Sequence, residues 1–278
     1  MIWNSVTLIY KKLPHTCLQS LLLATLVGVI FVDSSQAQQT IFNVPSADIA
    51  EKNSFFYQHQ TSLRPWLPER SWQMTNNLGY GIGKYTEIDT TLLGLDAFAG
   101  EHGWDKGSAL GLGFKSALPL FAKRYKQEEL KFVFGELMPI TSQARTLGSW
   151  SYAEFSGRLP KLGTRITAGI NYGTKQIFNR NQFSYMLGYE HNLNKHWMLQ
   201  GDWFSGTHGQ SAFIPGIVYI FNNGTMLSFG YQIPNPHAQT SAGFIFELTA
   251  FGNPLRRKSK SPSLMKVQHR TENKSEID

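Results

Sequence analysis

Asp202, Ser205, His208 and Ser211 fall together in the stretch GDWFSGTHGQS. An acid, a hydroxyl and an imidazole are the parts of nucleophilic catalysis, in which a base activates a hydroxyl and is held in place by a third group. That chemistry needs His208 within reach of a serine oxygen, and a polar loop carrying all four residues is the simpler reading. His102, His208 and His237 offer imidazoles for a metal, but no H-x-x-x-H spacing accompanies them. No metal and no cofactor is therefore expected. GLGFKS sets glycines beside Lys115 without the G-x-x-x-x-G-K-[ST] order of a phosphate loop. The expectation is a protein that is not an enzyme, with a hydrolase or lipid modifier as the rival.

Charged residues on the polar side of alternating segments form a second group: Glu87, Asp89, Lys115, Lys131, Arg165, Glu190, Asp202 and Glu247. Lining a lumen, they could position a polar solute. They could equally form a salt-bridge network that fills a closed barrel, because a buried charge must be paired. Glu154 and Arg158 share a face with Trp150 and Tyr152, so alternation alone does not fix their direction.

The elements that must carry these residues are strands. In FSYMLGYEHN, Phe183, Tyr185, Leu187 and Tyr189 fall on one face and Ser184, Met186, Gly188 and Glu190 on the other. TRITAGINYG, WQMTNNLGYGI and GSALGLGFKSAL alternate in the same way, as does WMLQGDWF with Asp202 opposite Trp203. About twelve such segments (a range of 10–14) of roughly 9–12 residues suit tilted membrane-spanning strands. The polar face is rich in Gly, Ser, Thr and Asn, too small to fill a soluble core and too sparsely charged for a solvated surface. The fold class is therefore all-β, an antiparallel transmembrane β-barrel with its apolar face outward. Trp72, Trp150, Tyr172, Tyr189, Trp197 and Trp203 are assigned to aromatic girdles near the strand ends. Alternate connections are nearly all tight (GK, PKLG, NLN, FNNG), with a longer one around FAKRYKQEE, and the others are generally longer and richer in Pro, Gly and His.

Composition agrees. Hydrophobic residues make up 41% and charged residues 16%, with 25 glycines and a mean hydropathy of −0.26. Lys11 and Lys12, the apolar run Leu21–Val32 and the small residues Ser35 and Ala37 form the pattern of a secretory signal peptide, residues 1–37. Cleavage after Ala37 removes Cys17, the sole cysteine, so no disulfide is expected. Residues 38–53 read as a periplasmic lead-in, with folding into the lumen as an option. Residues 54–251 form the barrel, and 252–278 a basic disordered tail. Of the formal +7, the signal carries +1 and residues 255–278 carry +4. The body is nearly neutral, and no nucleic-acid partner is expected.

With these patterns in place, residues 40 to 251 resemble bacterial outer-membrane β-barrel proteins. SAGFIFELTAF looks like the barrel-assembly signal, with Gly243, Phe246, Leu248 and the closing aromatic Phe251, although further residues follow it here. LQGDWFSG, IPGIVYIF and MLSFGYQIPN are similar to the closing hairpins of transporter-type barrels, such as the family named for the MetA pathway of phenol degradation. The resemblance implies a passive channel or uptake barrel for small solutes in the outer membrane of a Gram-negative-type bacterium. Its partners would be the lipid bilayer, lipopolysaccharide and the barrel-assembly machinery. The His-x-Ser pattern of barrel phospholipases is absent. The expected role is passive passage of small solutes, with a lipid hydrolase or a filled, non-conducting barrel as alternatives.

Overall fold

A computed structural model describes residues 40–66, 71–96, 108–121, 130–141, 147–160 and 162–252. The signal peptide, the basic tail beyond Gly252 and His102 lie outside the described residues. Twelve strands follow one another: β1 (Phe55–Arg64), β2 (Ser71–Gly81), β3 (Thr86–Asp96), β4 (Ala109–Pro119), β5 (Leu130–Thr141) and β6 (Trp150–Arg158). The second half comprises β7 (Arg165–Gly173), β8 (Phe183–Asn192), β9 (Trp197–Phe204), β10 (Ala212–Ile220), β11 (Met226–Pro234) and β12 (Gly243–Gly252). Each pairs antiparallel with its chain neighbours, and β12 pairs with β1 to close the barrel. Closure leaves no strand edge with unsatisfied backbone groups.

Period-two alternation sets the two faces of the wall. Leu112, Phe155, Ile170, Tyr185 and Leu227 are large, apolar and exposed on the outside. Lys115, Thr167, Ser184, Gln200 and Ser228 are buried on the inside. The outer wall is thus a belt of exposed apolar side chains, the inverse of a water-soluble sheet protein. One irregularity interrupts the ladder, between Met74 and Asn76 on β2. Opposite it, Gly94 adopts φ 71°, which a bulge demands and a side chain resists.

The connections fall into two sets by side. Gly83, Gly163 and Gly224 lie in turns at the end where β1 begins. The connection between β4 and β5 at that same end is longer, and the opposite end carries the connections between β7 and β8 and between β9 and β10. There His208 is fully buried, stacked on Phe178 with centroids 4.0 Å apart.

Candidate functional site

The segment Thr40–Ala50 lies inside the barrel, and Glu51, Lys52 and Asn53 are exposed. Ile41, Val44, Ala47 and Ala50 recur every third residue and are all buried, as is Phe42. Ile41, Phe42 and Val44 pack against Met186, Phe204, Ile214 and Ile245 from the inner wall. Each such large side chain withdrawn from water stabilises the seat by roughly 1.5–3 kcal/mol. Glycines make the room: an ideal Cβ at Gly230 would stand 2.7 Å from the Phe42 ring, closer than carbon atoms pack. The lead-in therefore occupies the lumen, the option its sequence left open.

A backbone threaded through a barrel must find partners for its polar groups. Asp202 supplies the main one. Its Oδ2 accepts from the N–H groups of Phe42 (3.0 Å), Asn43 (2.6 Å) and Val44 (2.7 Å). Consecutive N–H groups converging on one carboxylate form an anion-holding nest. Gln200 donates to the Ile41 carbonyl at 2.7 Å, and Gln60 to the Phe42 carbonyl at 2.9 Å. Further along, Lys131 Nζ donates to the Ala47 carbonyl at 3.1 Å, and Glu87 Oε2 accepts from the Ala50 N–H at 2.6 Å. Arg165 pairs with Asp48 at 2.9 Å and with Glu190 at 3.3 Å. Burial raises the Asp48 carboxyl, but the guanidinium of Arg165 overcomes that and holds it below its ordinary range.

Each residue expected to line the lumen has a definite place. Glu87 and Lys115 form an ion pair of 3.0 Å with both side chains almost fully buried. Asp89, Glu190, Asp202 and Glu247 are buried on the inner face, and Lys131 and Arg165 reach the luminal segment. Most of the charges therefore bind the chain's own N-terminal segment or one another. Neither Glu154 oxygen has a hydrogen-bond partner among the described residues, and Asp89 Oδ1 has none. Alternation left Glu154 undecided, and the structure buries it inside with Tyr152.

A cavity of about 140 Å³ lies above the segment, toward the long connections. Thr40, Asn43, Asn77, Asp89, Tyr152 and Gln210 are among its lining residues. A second, of about 50 Å³, lies beneath and is lined by Asp48, Arg158, Arg165 and Glu190.

Among the girdle residues, Tyr172 and Trp197 are exposed on the outer wall, and Trp72, Tyr189 and Trp203 share that face by alternation. Trp150 does not. It packs against the luminal apolar cluster, and its Nε1 donates to Asn171 Oδ1 at 3.3 Å. Ala153 and Phe155 occupy the outward positions of β6, which turns Trp150, Tyr152 and Glu154 inward. Phe251, expected to end the assembly signal, packs on Phe56 and Ala50 inside, whereas Phe246 is exposed outside. Gly243 begins β12, and Leu248 lies opposite His59 of β1.

The cluster Asp202, Ser205, His208 and Ser211 is not assembled for catalysis. Ser211 Oγ donates to the Ser205 carbonyl at 3.0 Å, His208 Nδ1 accepts from the Gln210 N–H at 3.2 Å, and Asp202 is engaged below. His208 and His237 belong to no metal-ligand group among the described residues. Burial pulls the His208 imidazole down to about 4, against an ordinary 6.5. A neutral imidazole is therefore part of the folded loop, and the unfolded loop binds the extra proton first. Stability conferred by neutral His208 is complete above about 6.5 and falls away as pH drops toward about 4. Amide exchange across residues 205–211, corrected for intrinsic rate, should quicken through that window in the native chain and not in His208→Gln.

Two polar groupings stand on the outer wall, where sequence reasoning placed none. Glu136 accepts from Ser149 and Ser151. Tyr57, His59 and Thr61 line up along β1 and meet Asn76 of β2. Their signal was available as polar residues at outward positions of alternating strands, and as a histidine two residues before a hydroxyl.

No protein-family model matches this chain, and no curated protein is similar to it.

Proposed function

We propose that this chain is an outer-membrane barrel for small polar solutes whose passage is shut, in the folded state, by its own N-terminal segment. The observation that carries the reading is the seat of Phe42, Asn43 and Val44 on Asp202, with a cavity on either side of it. The belt of exposed apolar residues supports placement in a bilayer, and the asymmetry of turns and long connections supports an orientation with the long connections outside. With cleavage after Ala37, the luminal segment becomes the leading end of the mature chain and can leave the lumen without unthreading.

Planar-bilayer recording on folded residues 38–278, beside a form lacking residues 38–50, tests this. The intact barrel should be silent for most of the record, and the shortened one should show discrete steps. A permanently conducting intact barrel, or a folded shortened barrel that stays silent, would contradict it.

A further inference from the structure

Along β1, Phe56, Gln58 and Gln60 point into the lumen, where the two glutamines hold Thr40 and Phe42. The intervening Tyr57, His59 and Thr61 therefore stand on the outer wall. Asn76 faces His59 directly across the β1–β2 ladder. His59 Nδ1 is 2.8 Å from Asn76 Oδ1, and His59 Nε2 is 2.9 Å from Thr61 Oγ1. The Tyr57 hydroxyl donates to the same Asn76 oxygen at 2.7 Å.

The donor directions follow from these partners. An amide oxygen only accepts, so the proton resides on Nδ1 of His59 and Nε2 presents its lone pair. The Thr61 hydroxyl must then donate to Nε2. The resulting sequence is hydroxyl, imidazole, orienting amide, the arrangement in which a base withdraws the proton of an oxygen nucleophile.

Its surroundings are apolar. Thr61 lies across the ladders from Met74 and Phe246, and His59 from Leu248. Polar and ionisable side chains on a lipid-facing wall are costly, and such residues mark function by default. His59 and Thr61 are 9% and 7% exposed, so the pair lies recessed in the outer wall. A water-soluble substrate would not partition there, whereas an acyl chain lying along the barrel would.

We propose that Thr61, His59 and Asn76 form an ester-cleaving site on the outer wall, acting on carboxylic esters of lipids packed against the barrel. The site requires the wall to face lipid and is independent of whether the lumen conducts. Thr61 Oγ1 bonds to the ester carbonyl carbon as its proton passes to His59 Nε2. The bond to the alcohol oxygen then breaks, and His59 returns the proton to that oxygen. Water cleaves the acyl-threonine in the second half, with His59 taking a proton from water and Thr61 recovering its own. One ester and one water give one acid and one alcohol. Asn76 is a positioning residue that fixes the imidazole.

The test uses the intact barrel, shown to be folded by heat-modifiable gel migration, with p-nitrophenyl palmitate in detergent micelles. Turnover should exceed that of heat-unfolded protein. Thr61→Val and His59→Gln, which keep the shape of the wall, should lower kcat by roughly 10²-fold or more. Thr61→Ser should keep it, and Asn76→Asp should preserve kcat where Asn76→Leu loses it. Acid quenching should trap a palmitoyl group on the peptide that contains Thr61. No turnover by the folded native barrel, or Thr61→Val as fast as the native chain, overturns the site. Fatty-acid release from phosphatidylethanolamine vesicles or from lipopolysaccharide identifies the lipid, and release from neither overturns the lipid assignment.

Discussion

Asp202→Ala is expected to unseat the luminal segment and to open the barrel. The substitution leaves the N–H groups of Phe42, Asn43 and Val44 without their acceptor inside the barrel. Each buried donor so stranded costs roughly 1–3 kcal/mol. Even the low end of the combined penalty, about 3 kcal/mol, shifts the seated-to-free ratio by about two orders of magnitude. The apolar contacts of Ile41, Phe42 and Val44 remain and oppose release, so opening should be frequent rather than permanent. Asp202→Asn keeps an accepting oxygen but loses the charge, and should fall between. Bilayer recordings should show rare openings in the native chain, more in Asp202→Asn and most in Asp202→Ala. The barrel itself should stay folded, because β9 keeps its ladders to β8 and β10.

The second large effect belongs to Lys115. Its ammonium lies 3.0 Å from Glu87 with 1% of its side chain exposed, and the Glu87 side chain is fully buried. Removing one partner of such a pair leaves an uncompensated charge, at a cost of about 3–5 kcal/mol. Lys115→Met should therefore lower the denaturant midpoint of the refolded barrel sharply. Because Glu87 also accepts from the Ala50 N–H, the luminal segment should loosen at that end. Lys115→Met with Glu87→Leu should recover most of the barrel's stability, since apolar residues of similar volume avoid the desolvation cost. The Ala50 N–H stays unpaired in the double variant, so the segment should not tighten fully. Comparing the single and double variants isolates the coupling between the two charges.

The barrel was legible because a strand with two different surroundings must alternate. That rule locates β8 and β9 and places Asp202 opposite Trp203 from the sequence alone. It worked least well in β6, where the inner positions carry Trp150, Tyr152 and Glu154 and thus resemble a girdle. Lumens are usually lined with small or polar residues, and here the aromatics fill space beside the luminal segment. That segment itself follows neither the period of a strand nor that of a helix. Its buried Ile41, Val44, Ala47 and Ala50 recur every third residue, a spacing with meaning only once a surrounding wall exists. The role of Asp202 was hidden for the same reason. A lone carboxylate on an inner face predicts a partner, yet the partner proved to be backbone, and backbone donors leave no trace in residue types. Thr61, His59 and Asn76 lie on two strands and are joined only by the β1–β2 register.

The occupancy of the lumen is tested most directly at Val44, which is fully buried beside Asp202. Residues 38–278 contain no cysteine, so Val44→Cys introduces a single reporter. In the folded barrel within lipid vesicles, a membrane-impermeant maleimide supplied on both sides should leave it unlabelled until the protein is unfolded. Adding Asp202→Ala should expose it. Rapid labelling of Val44→Cys in the otherwise native, folded barrel would contradict a lumen sealed by its own N-terminal segment.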